Sequence, residues 1–389
     1  MNRSSPVFAQ LMSLIHPQQF ARIAARFPLE RAARPLSCWE HFLAMAFAQV
    51  TFRESLRDLE ACLDARPSLR YHLGFKHRVA RSTLAEANEN RDWRVFSALA
   101  THLIEKARRM YASGTSGVEG LDSIYALDAS IIDLSLALCP WANWTGHDAA
   151  VKLHTLLDLR GSIPAFVRIT SGERFETAIF DELPIEAGSY YLMDRGYQDF
   201  KTFYRMHCRG AFFLTRAKRN VRFIVRESRP IDKASGLRCD QLVHLLNSGP
   251  RRSYPERLRR IRFFDAEHRQ SLVFWTNQLE LPALTIAQLY RRRWQVELFF
   301  KWIKYNLRLR TFLGVSRNAI HIQIWSAISV YLLVAILRKE LKLPQTLHQI
   351  LQILSVAAFE QTPIHQLFTK DNPKSSEIHS PQMLMFNDI

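Results

Sequence analysis

Residues 189–215 read SYYLMDRGYQDFKTFYRMHCRGAFFLT, and this stretch decides the fold class. The apolar run that ends at Asp194 and the run 211–215 are short, rich in aromatic residues and typical of β-strands. Residues 199–207, between them, fit a helix. Three further β-rich runs precede the stretch, at residues 123–130, 151–158 and 163–169. Strands and helices in this order predict a mixed α/β sheet.

Two of the predicted strands end in the same way, because Tyr-Ala-Leu leads into Asp128 and Tyr-Leu-Met leads into Asp194. A carboxylate at the end of a buried strand is costly unless it is paired or binds a metal ion. If the two strands are neighbours, both carboxylates converge, and Glu297 on a later helix can complete an oxygen-only site suited to Mg²⁺. Two such ions can activate the attacking oxygen and stabilise the leaving oxygen of a phosphoryl displacement. Three competing acids are not excluded by spacing alone: Asp122, Asp133 and Asp158.

A second informative segment, residues 290–304, reads YRRRWQVELFFKWIK and places one acid among several Arg and Lys residues. On a continuous helix its side chains divide between two faces. The charged face carries Tyr290, Arg293, Glu297, Lys301 and Lys304, and the apolar face carries Val296, Phe299, Phe300 and Ile303. One face can pack on a core while the other presents a carboxylate between cations. Ion pairs on an ordinary exposed helix have the same spacing, so the segment alone leaves both interpretations open.

The charge of the chain predicts a polyanionic partner. There are 53 Lys and Arg against 36 Asp and Glu, a formal net charge of +17, with a sequence pI near 10.0. A membrane partner is disfavoured, because the apolar segment 319–337 is interrupted by polar residues and fits a buried helix better than a membrane span. The five cysteines form no C-x-x-C motif, so neither a zinc ribbon nor a disulfide framework is predicted. We therefore expect a cytoplasmic protein that binds nucleic acid.

The first 117 residues have helical periodicity and end in the small-residue stretch 113–117, which fits a linker. Within them, Thr83-Leu-Ala-Glu86 fits a capping box and predicts a helix that starts near Ser82 or Thr83. This helix could be the second helix of a helix-turn-helix. Its candidate DNA contacts are then Asn88, Asn90 and Arg91. A plain helical hairpin packed on the core explains the pattern equally well.

Three motifs together carry a family resemblance. The spacing Y-x2-R-x3-E-x6-K is met by Tyr290, Arg293, Glu297 and Lys304, Asp-Arg-Gly-Tyr begins at Asp194, and Leu-Asp-Ala-Ser contains Asp128. On these motifs the chain resembles bacterial insertion-sequence transposases of the DDE type, in the subgroup with a Tyr, Arg, Glu, Lys signature.

The resemblance implies a division of the chain as well as a fold. It implies an all-helical N-terminal DNA-binding domain and a ribonuclease-H-like mixed sheet core that is interrupted by a β-rich insertion and followed by a helical tail. The corresponding ranges are residues 1–117 for the helical domain, 118–219 and 282–342 for the core, 220–281 for the insertion and 343–389 for the tail.

The function implied is DNA transposition. Such an enzyme binds the terminal inverted repeats of its own element and cuts and transfers the strands, through hairpin ends in well-studied relatives. Asp128, Asp194 and Glu297 would be catalytic metal ligands for Mg²⁺, for which Mn²⁺ can substitute, with two ions expected. The residues expected to contact DNA are Tyr290, Arg293, Lys304, Lys301 and Arg195.

Hairpin chemistry needs an aromatic ring to shelter an unstacked base. By position the candidate is Trp275, with the alternative that it is a core residue of its strand, and Trp294 and Trp302 are expected to be packing residues. Pairing of two DNA ends predicts at least a homodimer on DNA. The apolar spacing in residues 347–353 fits either a partner helix or intramolecular packing.

Two rival functions remain open from the sequence. One is a cleavage-deficient repressor of its own element, and the other is a metal-dependent nuclease without strand transfer.

Overall fold

The computed structural model describes residues 5–27, 36–114, 121, 123–142, 149–246, 252–306 and 311–369. Its centre is one nine-stranded sheet. The strands are β1 (Ile124–Leu134), β2 (Ala149–Asp158), β3 (Ile163–Ser171), β4 (Tyr190–Met193), β5 (Phe212–Arg216), β6 (Phe223–Ser228), β7 (Leu237–Leu245), β8 (Leu258–Asp265) and β9 (Gln270–Thr276). Their spatial order is β3-β2-β1-β4-β5-β9-β8-β7-β6. The predicted mixed α/β sheet is confirmed.

The two strands that lead into Asp128 and Asp194 are neighbours in this sheet. β1 and β4 run parallel, with Leu127 opposite Met193, and β5 continues the parallel set next to β4. Because parallel strands end at the same edge, Asp128 and Asp194 lie side by side at that edge.

The β-rich segment 220–281 extends the same sheet and does not form a separate body. β9 pairs antiparallel with β5, and β8, β7 and β6 follow in turn. Arg259 on β8 donates two hydrogen bonds to Asp240 on β7, at 2.8 and 2.7 Å, and both side chains are buried. Arg259 therefore holds two strands of the sheet together and is too buried to contact DNA.

Helices cover the sheet and fill the N-terminal region. They are α1 (Val7–Met12), α2 (Pro17–Ala25), α3 (Cys38–Val50), α4 (Leu56–Asp64), α5 (Pro67–Arg70), α6 (Arg81–Asn90), α7 (Arg94–Tyr111), α8 (Phe200–Cys208), α9 (Ala283–Arg291), α10 (Trp294–Asn306), α11 (Arg317–Glu340) and α12 (Leu347–Ala357). Four 3₁₀ helices lie between them, at Pro140–Ala142, Glu176–Ile179, Arg195–Tyr197 and Ile364–Phe368.

The long apolar helix α11 explains how the helical region joins the sheet. Every residue from Ala319 to Leu337 is buried, so this helix, long and apolar enough to cross a membrane, lies wholly inside the fold. A helix that is apolar on all sides must be covered on all sides. Helices α1, α3, α6 and α7 supply part of that cover. The prediction of a buried helix is confirmed, whereas the N-terminal helices share one hydrophobic core with the sheet and are not a detached domain.

The proposed helix-turn-helix contacts are corrected by burial. Helix α6 begins at Arg81, without a side-chain cap, and ends at Asn90. Asn88 is 1% exposed and its Oδ1 lies 2.8 Å from His41 Nε2. Arg91 is 1% exposed and donates to the backbone oxygens of Leu36 and Ser37, at 2.7 Å each. Of the three candidates, Asn90 alone faces solvent, so Asn88 and Arg91 pack in the core and are not available to DNA.

We expect Arg91→Ala to lower the free energy of unfolding by about 3 kcal/mol, because two buried carbonyl oxygens lose their donor. Asn90→Ala, on the exposed neighbour, should change it by less than about 0.5 kcal/mol. Urea denaturation of both variants measures the difference. An Arg91→Ala protein that is as stable as the wild type but binds DNA more weakly would restore the recognition-helix interpretation.

The C-terminal helix α12 packs within the chain. Its apolar residues Ile350, Leu351 and Leu354 are buried, and the backbone amide of Val7 donates to the carbonyl oxygen of Glu360 at 2.8 Å. Of the two alternatives for this tail, the structure shows intramolecular packing for the part of the tail that it describes.

Candidate active site

Three elements bring three carboxylates to one edge of the sheet. Asp128 lies within β1, Asp194 directly follows β4, and Glu297 lies in the first turn of α10. Helix α10 contacts β1 and β2. Its four predicted apolar residues are all buried: Val296, Phe299, Phe300 and Ile303. The amphipathic pattern therefore fixes the rotation of α10, and Glu297 reaches the end of β1 because the opposite face is packed.

The predicted continuous helix 290–304 is broken after Arg291. Arg292 and Arg293 form a turn between α9 and α10, in which the amides of Gln295 and Val296 bond back three residues, at 3.0 and 3.1 Å. Such tight bonds are typical of a 3₁₀ turn. The break leaves the spacing of Arg293 and Glu297 intact, so the two side chains still meet.

Arg293 bridges two of the acids. Its Nη1 donates to Asp128 Oδ2 at 2.7 Å and its Nη2 donates to Glu297 Oε1 at 2.5 Å. The three side chains are 15%, 20% and 32% exposed, respectively. An ordinary surface ion pair joins neighbours on one helix, whereas this guanidinium also reaches a strand 165 residues away. The arrangement therefore belongs to a half-buried cluster rather than to a solvated helix face.

The electrostatics of the cluster call for more positive charge than Arg293 supplies. The pKa of Asp128 is raised to about 6, chiefly by burial and in smaller part by Glu297 and Asp194, against the opposing effects of Arg293 and of the Ala129 amide. Three carboxylates face one guanidinium. An all-oxygen, net-negative donor set of this kind suits a hard divalent cation such as Mg²⁺.

Two tyrosines complete the walls of the site. The Tyr290 hydroxyl lies 3.4 Å from Asp194 Oδ1, and its ring packs on Phe274 with centroids 4.8 Å apart. Tyr197, the last residue of the Asp-Arg-Gly-Tyr motif, is 1% exposed. Its hydroxyl has no hydrogen-bond partner among the described residues. Burial, and then the charge of Asp128, raises the pKa of Tyr197 well above its usual value. A buried hydroxyl without a partner beside the carboxylates is where a further polar ligand fits.

Sequence reasoning missed Tyr197 and its neighbours. Glu176 also raises the pKa of Tyr197, and it pairs with Lys152 Nζ at 3.1 Å. No spacing rule connects residues 152, 176 and 197. The motif that contains Tyr197 was the available signal.

The basic residues predicted to contact DNA differ in how far their side chains are exposed. Lys301 and Arg195 are exposed and Lys304 is half-buried. Arg195 immediately follows Asp194, in the 3₁₀ helix Arg195–Tyr197.

The tryptophans differ from expectation. Trp275 is 1% exposed and packs edge-on against Phe223, with centroids 5.4 Å apart. Strand alternation on β9 turns Phe274 towards Tyr290 and Trp275 to the other face, so the ring is a core residue with no room for a base. Trp294, expected to pack, is 58% exposed. Trp302 packs on Tyr331 at 4.8 Å, as expected.

The competing acids are placed elsewhere. Asp158 pairs with Arg160 Nη2 at 2.6 Å and lies opposite Tyr125, towards the start of β1. Asp133 is exposed near the far end of β1. Asp122 lies outside the described residues. Of the predicted and competing acids that the structure describes, Asp128, Asp194 and Glu297 are the ones that lie together. A separate group that could hold a metal ion, Asp265, Glu267 and His268, lies where β8 turns into β9.

Comparison with known proteins shows the family of the chain. The sequence model of a family described as "Transposase DDE domain" matches residues 119–333, more than half of the chain. The chain belongs to the DDE transposases. A second model, for a domain of unknown function (DUF4372), matches residues 3–76.

Individual relatives of this transposase agree with the assignment. The chain is 33% identical over 261 residues to the transposase y4zB of Sinorhizobium fredii. The aligned region covers 65% of this chain and 70% of the relative. It is 31% identical over 209 residues to the transposase for insertion sequence element IS5377 of Geobacillus stearothermophilus, over 53% of this chain and 54% of the relative. The transposase for IS4SA of Synechocystis is 24% identical over 262 residues, 66% of this chain and 71% of the relative.

The family establishes the class of chemistry. This transposase is an enzyme with DNA cleavage and strand-transfer activity, it acts on DNA, and the family depends on a divalent metal ion. The large mixed sheet is consistent with the ribonuclease-H-like fold of DDE transposases.

Proposed function

We propose that this transposase binds the terminal inverted repeats of its own insertion sequence and moves the element by cut-and-paste through hairpin ends. Asp128, Asp194 and Glu297 are its catalytic residues. The observations that carry the proposal are the contacts of Arg293 with Asp128 and Glu297, and the position of Asp194 directly after β4, the parallel neighbour of β1.

The three carboxylates would hold Mg²⁺, or Mn²⁺ in its place, and two ions fit the excess of negative charge. When bound, these ions supply activation of the attacking oxygen and stabilisation of the leaving oxygen. The chain's own residues hold the ligands in position. Arg293 fixes Asp128 and Glu297, the Ala129 amide donates to Asp128 Oδ1 at 2.8 Å, and the Tyr290 hydroxyl contacts Asp194.

The basic residues around the carboxylates would hold DNA phosphates. Among the signature residues, Tyr290 lies at the end of α9, Arg293 lies in the turn that follows, and Lys304 lies on α10 with Glu297. Exposed Lys301 and Arg195 extend the positive surface on either side. In the N-terminal region, exposed bases that precede or begin α6 support contact with the repeats: Lys76, His77 and Arg81.

Trp294, rather than Trp275, is the aromatic side chain available to an unstacked base. It follows Arg293 directly, lies one helical turn from Glu297, and exposes more than half of its surface. A ring in this position can stack on a base because every base has an aromatic face.

We expect Trp294→Ala to slow hairpin formation at a transposon end by roughly 10- to 100-fold, since stacking on one base contributes about 1–3 kcal/mol. Its melting temperature should stay near that of the wild type. Trp294→Phe, which keeps a ring, should retain most of the activity. Trp275→Ala removes a core side chain and should lower the free energy of unfolding by about 3–5 kcal/mol. Single-turnover cleavage of a labelled end and thermal unfolding give both quantities. Full activity of Trp294→Ala would remove this residue from the site.

Two transposon ends must be cut together, so we propose a homodimer on DNA in which each copy supplies one carboxylate cluster. The rival functions are separated by one assay. A pre-cut end with a free 3′-hydroxyl is incubated with target plasmid and Mg²⁺. Joined product supports the transposase, cutting of uncut ends without joining favours a nuclease, and binding with neither reaction favours a repressor.

A further inference from the structure

A cleft of about 360 Å³ lies along β3, the edge strand at the opposite end of the sheet from β6. Its walls come from β3, from the 3₁₀ helix Glu176–Ile179 and from the start of α11. Three arginines line it, Arg168, Arg174 and Arg317, together with a single acid, Glu182. The carboxylate cluster described above contributes none of the lining residues.

The charges in this cleft are not balanced. Arg168 pairs with Glu182 at 3.3 Å, and both side chains are about half exposed. Arg174 and Arg317 are exposed and form no ion pair with a carboxylate of the residues that the structure describes. Two guanidinium groups are therefore left for a ligand, and the forked donors of arginine match phosphate oxygens.

A buried histidine adds a polar atom to the same cleft. His321 is 5% exposed, its ring packs on Trp93 at 4.6 Å, and its Nδ1 has no hydrogen-bond partner within the described ranges. Burial, helped by Arg317 and Arg168, lowers the pKa of His321 to about 4, so the ring is neutral at neutral pH and can donate or accept one bond. The unpaired backbone groups of an edge strand offer further donors.

The cleft lies two strands away from β1, the strand that carries Asp128. Ala129, next to Asp128, lies opposite His154 on β2, which in turn lies opposite Arg168 on β3. Two strand spacings, about 10 Å, separate the backbones of Ala129 and Arg168, and both side chains lie on the opposite face of the sheet from Asp128 because side chains alternate along a strand. DNA rises about 3.4 Å per base pair along each strand, so a duplex that continues from Asp128 past the edge strand β3 reaches the cleft within a few base pairs.

We propose that the cleft binds a backbone phosphate of the transposon-end duplex, a few base pairs from the bond that is cut. The inference rests on the proposed function, because it requires that the scissile bond lies at Asp128, Asp194 and Glu297. Arg174 and Arg317 then act as binding residues that fix the register of the DNA and take no part in the reaction.

The first test is the salt dependence of binding. Each phosphate contact contributes about 0.9 to the slope of log affinity against log salt concentration. The double variant Arg174→Gln/Arg317→Gln should lose this one contact, and its slope should be shallower by about 1 in fluorescence anisotropy with a labelled end duplex. Arg22→Gln/Arg209→Gln removes the same charge from exposed positions on α2 and after α8, and should keep the wild-type slope. Arg174→Lys/Arg317→Lys should restore most of it.

The second test locates the phosphate. Single phosphates near the scissile bond are replaced by uncharged methylphosphonates, one at a time. One replacement a few base pairs from the cut should weaken binding by the wild type but not by the double variant. If the salt slope of the double variant equals that of the wild type, and the wild type still binds and cuts the end, the cleft does not bind a phosphate and the proposed function is unaffected. An end that the wild type neither binds nor cuts would overturn both. Calorimetric binding of inorganic phosphate to the wild type, without any change of salt slope in the variant, would show a site for a free anion and contradict the proposal.

Discussion

Replacement of any one of the three carboxylates by its amide should reduce cleavage at the transposon end by at least about 10³-fold. A divalent metal ion held by these three residues would supply several kcal/mol of transition-state stabilisation, and each 1.36 kcal/mol is a factor of ten in rate. The variants are Asp128→Asn, Asp194→Asn and Glu297→Gln. Each keeps nearly the same shape but removes a charge, so the fold and the binding of DNA should remain. Single-turnover cleavage and anisotropy on the same labelled duplex measure the two properties separately.

The matched control is Asp133→Asn, which changes an exposed acid on the same strand as Asp128. Its cleavage rate should stay within about twofold of the wild type, because a surface charge away from the cluster contributes little. Normal cleavage by Asp194→Asn or Glu297→Gln would contradict the assignment of the site. Loss of DNA binding together with loss of cleavage would instead mark the carboxylates as structural.

The second large effect is expected at Arg293, whose loss leaves three carboxylates facing one another without the guanidinium. Breaking a fully buried ion pair costs about 3–5 kcal/mol. Because Asp128 and Glu297 are 20% and 32% exposed, we expect Arg293→Gln to lose about 2 kcal/mol of unfolding free energy in EDTA. Mg²⁺ should then stabilise the variant more than the wild type, because a cation at the carboxylates replaces the missing charge.

Denaturation of Arg293→Gln and wild type, each with Mg²⁺ and with EDTA, gives the four values that this prediction needs. Arg94→Gln is the control, since Arg94 pairs with Asp92 at 3.2 Å and the two side chains are 62% and 34% exposed. An exposed pair of this kind contributes no more than about 1 kcal/mol, and Mg²⁺ should not change the effect of its loss. Equal stabilisation of Arg293→Gln and wild type by Mg²⁺ would contradict the view that Arg293 and the metal ion act on the same carboxylates.

The sequence predicted those parts of the molecule that depend on local pattern. The apolar runs that lead into Asp128 and Asp194 are visible in the sequence, although β1 does not end at Asp128 but continues to Leu134. The apolar spacing of Val296, Phe299 and Ile303 correctly gives the buried face of α10. The meeting of Arg293 with Glu297 follows from helical spacing alone. The position of Asp128 and Asp194 side by side also depends on the parallel pairing of β1 and β4. The sequence did not predict this pairing, and the two acids were expected to converge only if the strands were neighbours.

The predictions that failed depend on contacts distant in sequence. Asn88 and Arg91 have the chemistry of DNA contacts, but their partners His41, Leu36 and Ser37 lie about 50 residues earlier and bury them. Trp294 and Trp275 have the same side chain, and only the turn at Arg292 and the pairing of β9 decide which ring faces solvent. Periodicity gives the face of one element but not the element that covers it.

The most direct test of the carboxylate site is to map the cuts that the purified wild type makes in a plasmid carrying the ends that flank its own gene, with Mg²⁺ and with EDTA. We predict cuts at the element boundaries that leave 3′-hydroxyl groups, require Mg²⁺, and disappear in Asp194→Asn. Cuts that persist in EDTA or in Asp194→Asn would contradict a metal-dependent centre at Asp128, Asp194 and Glu297.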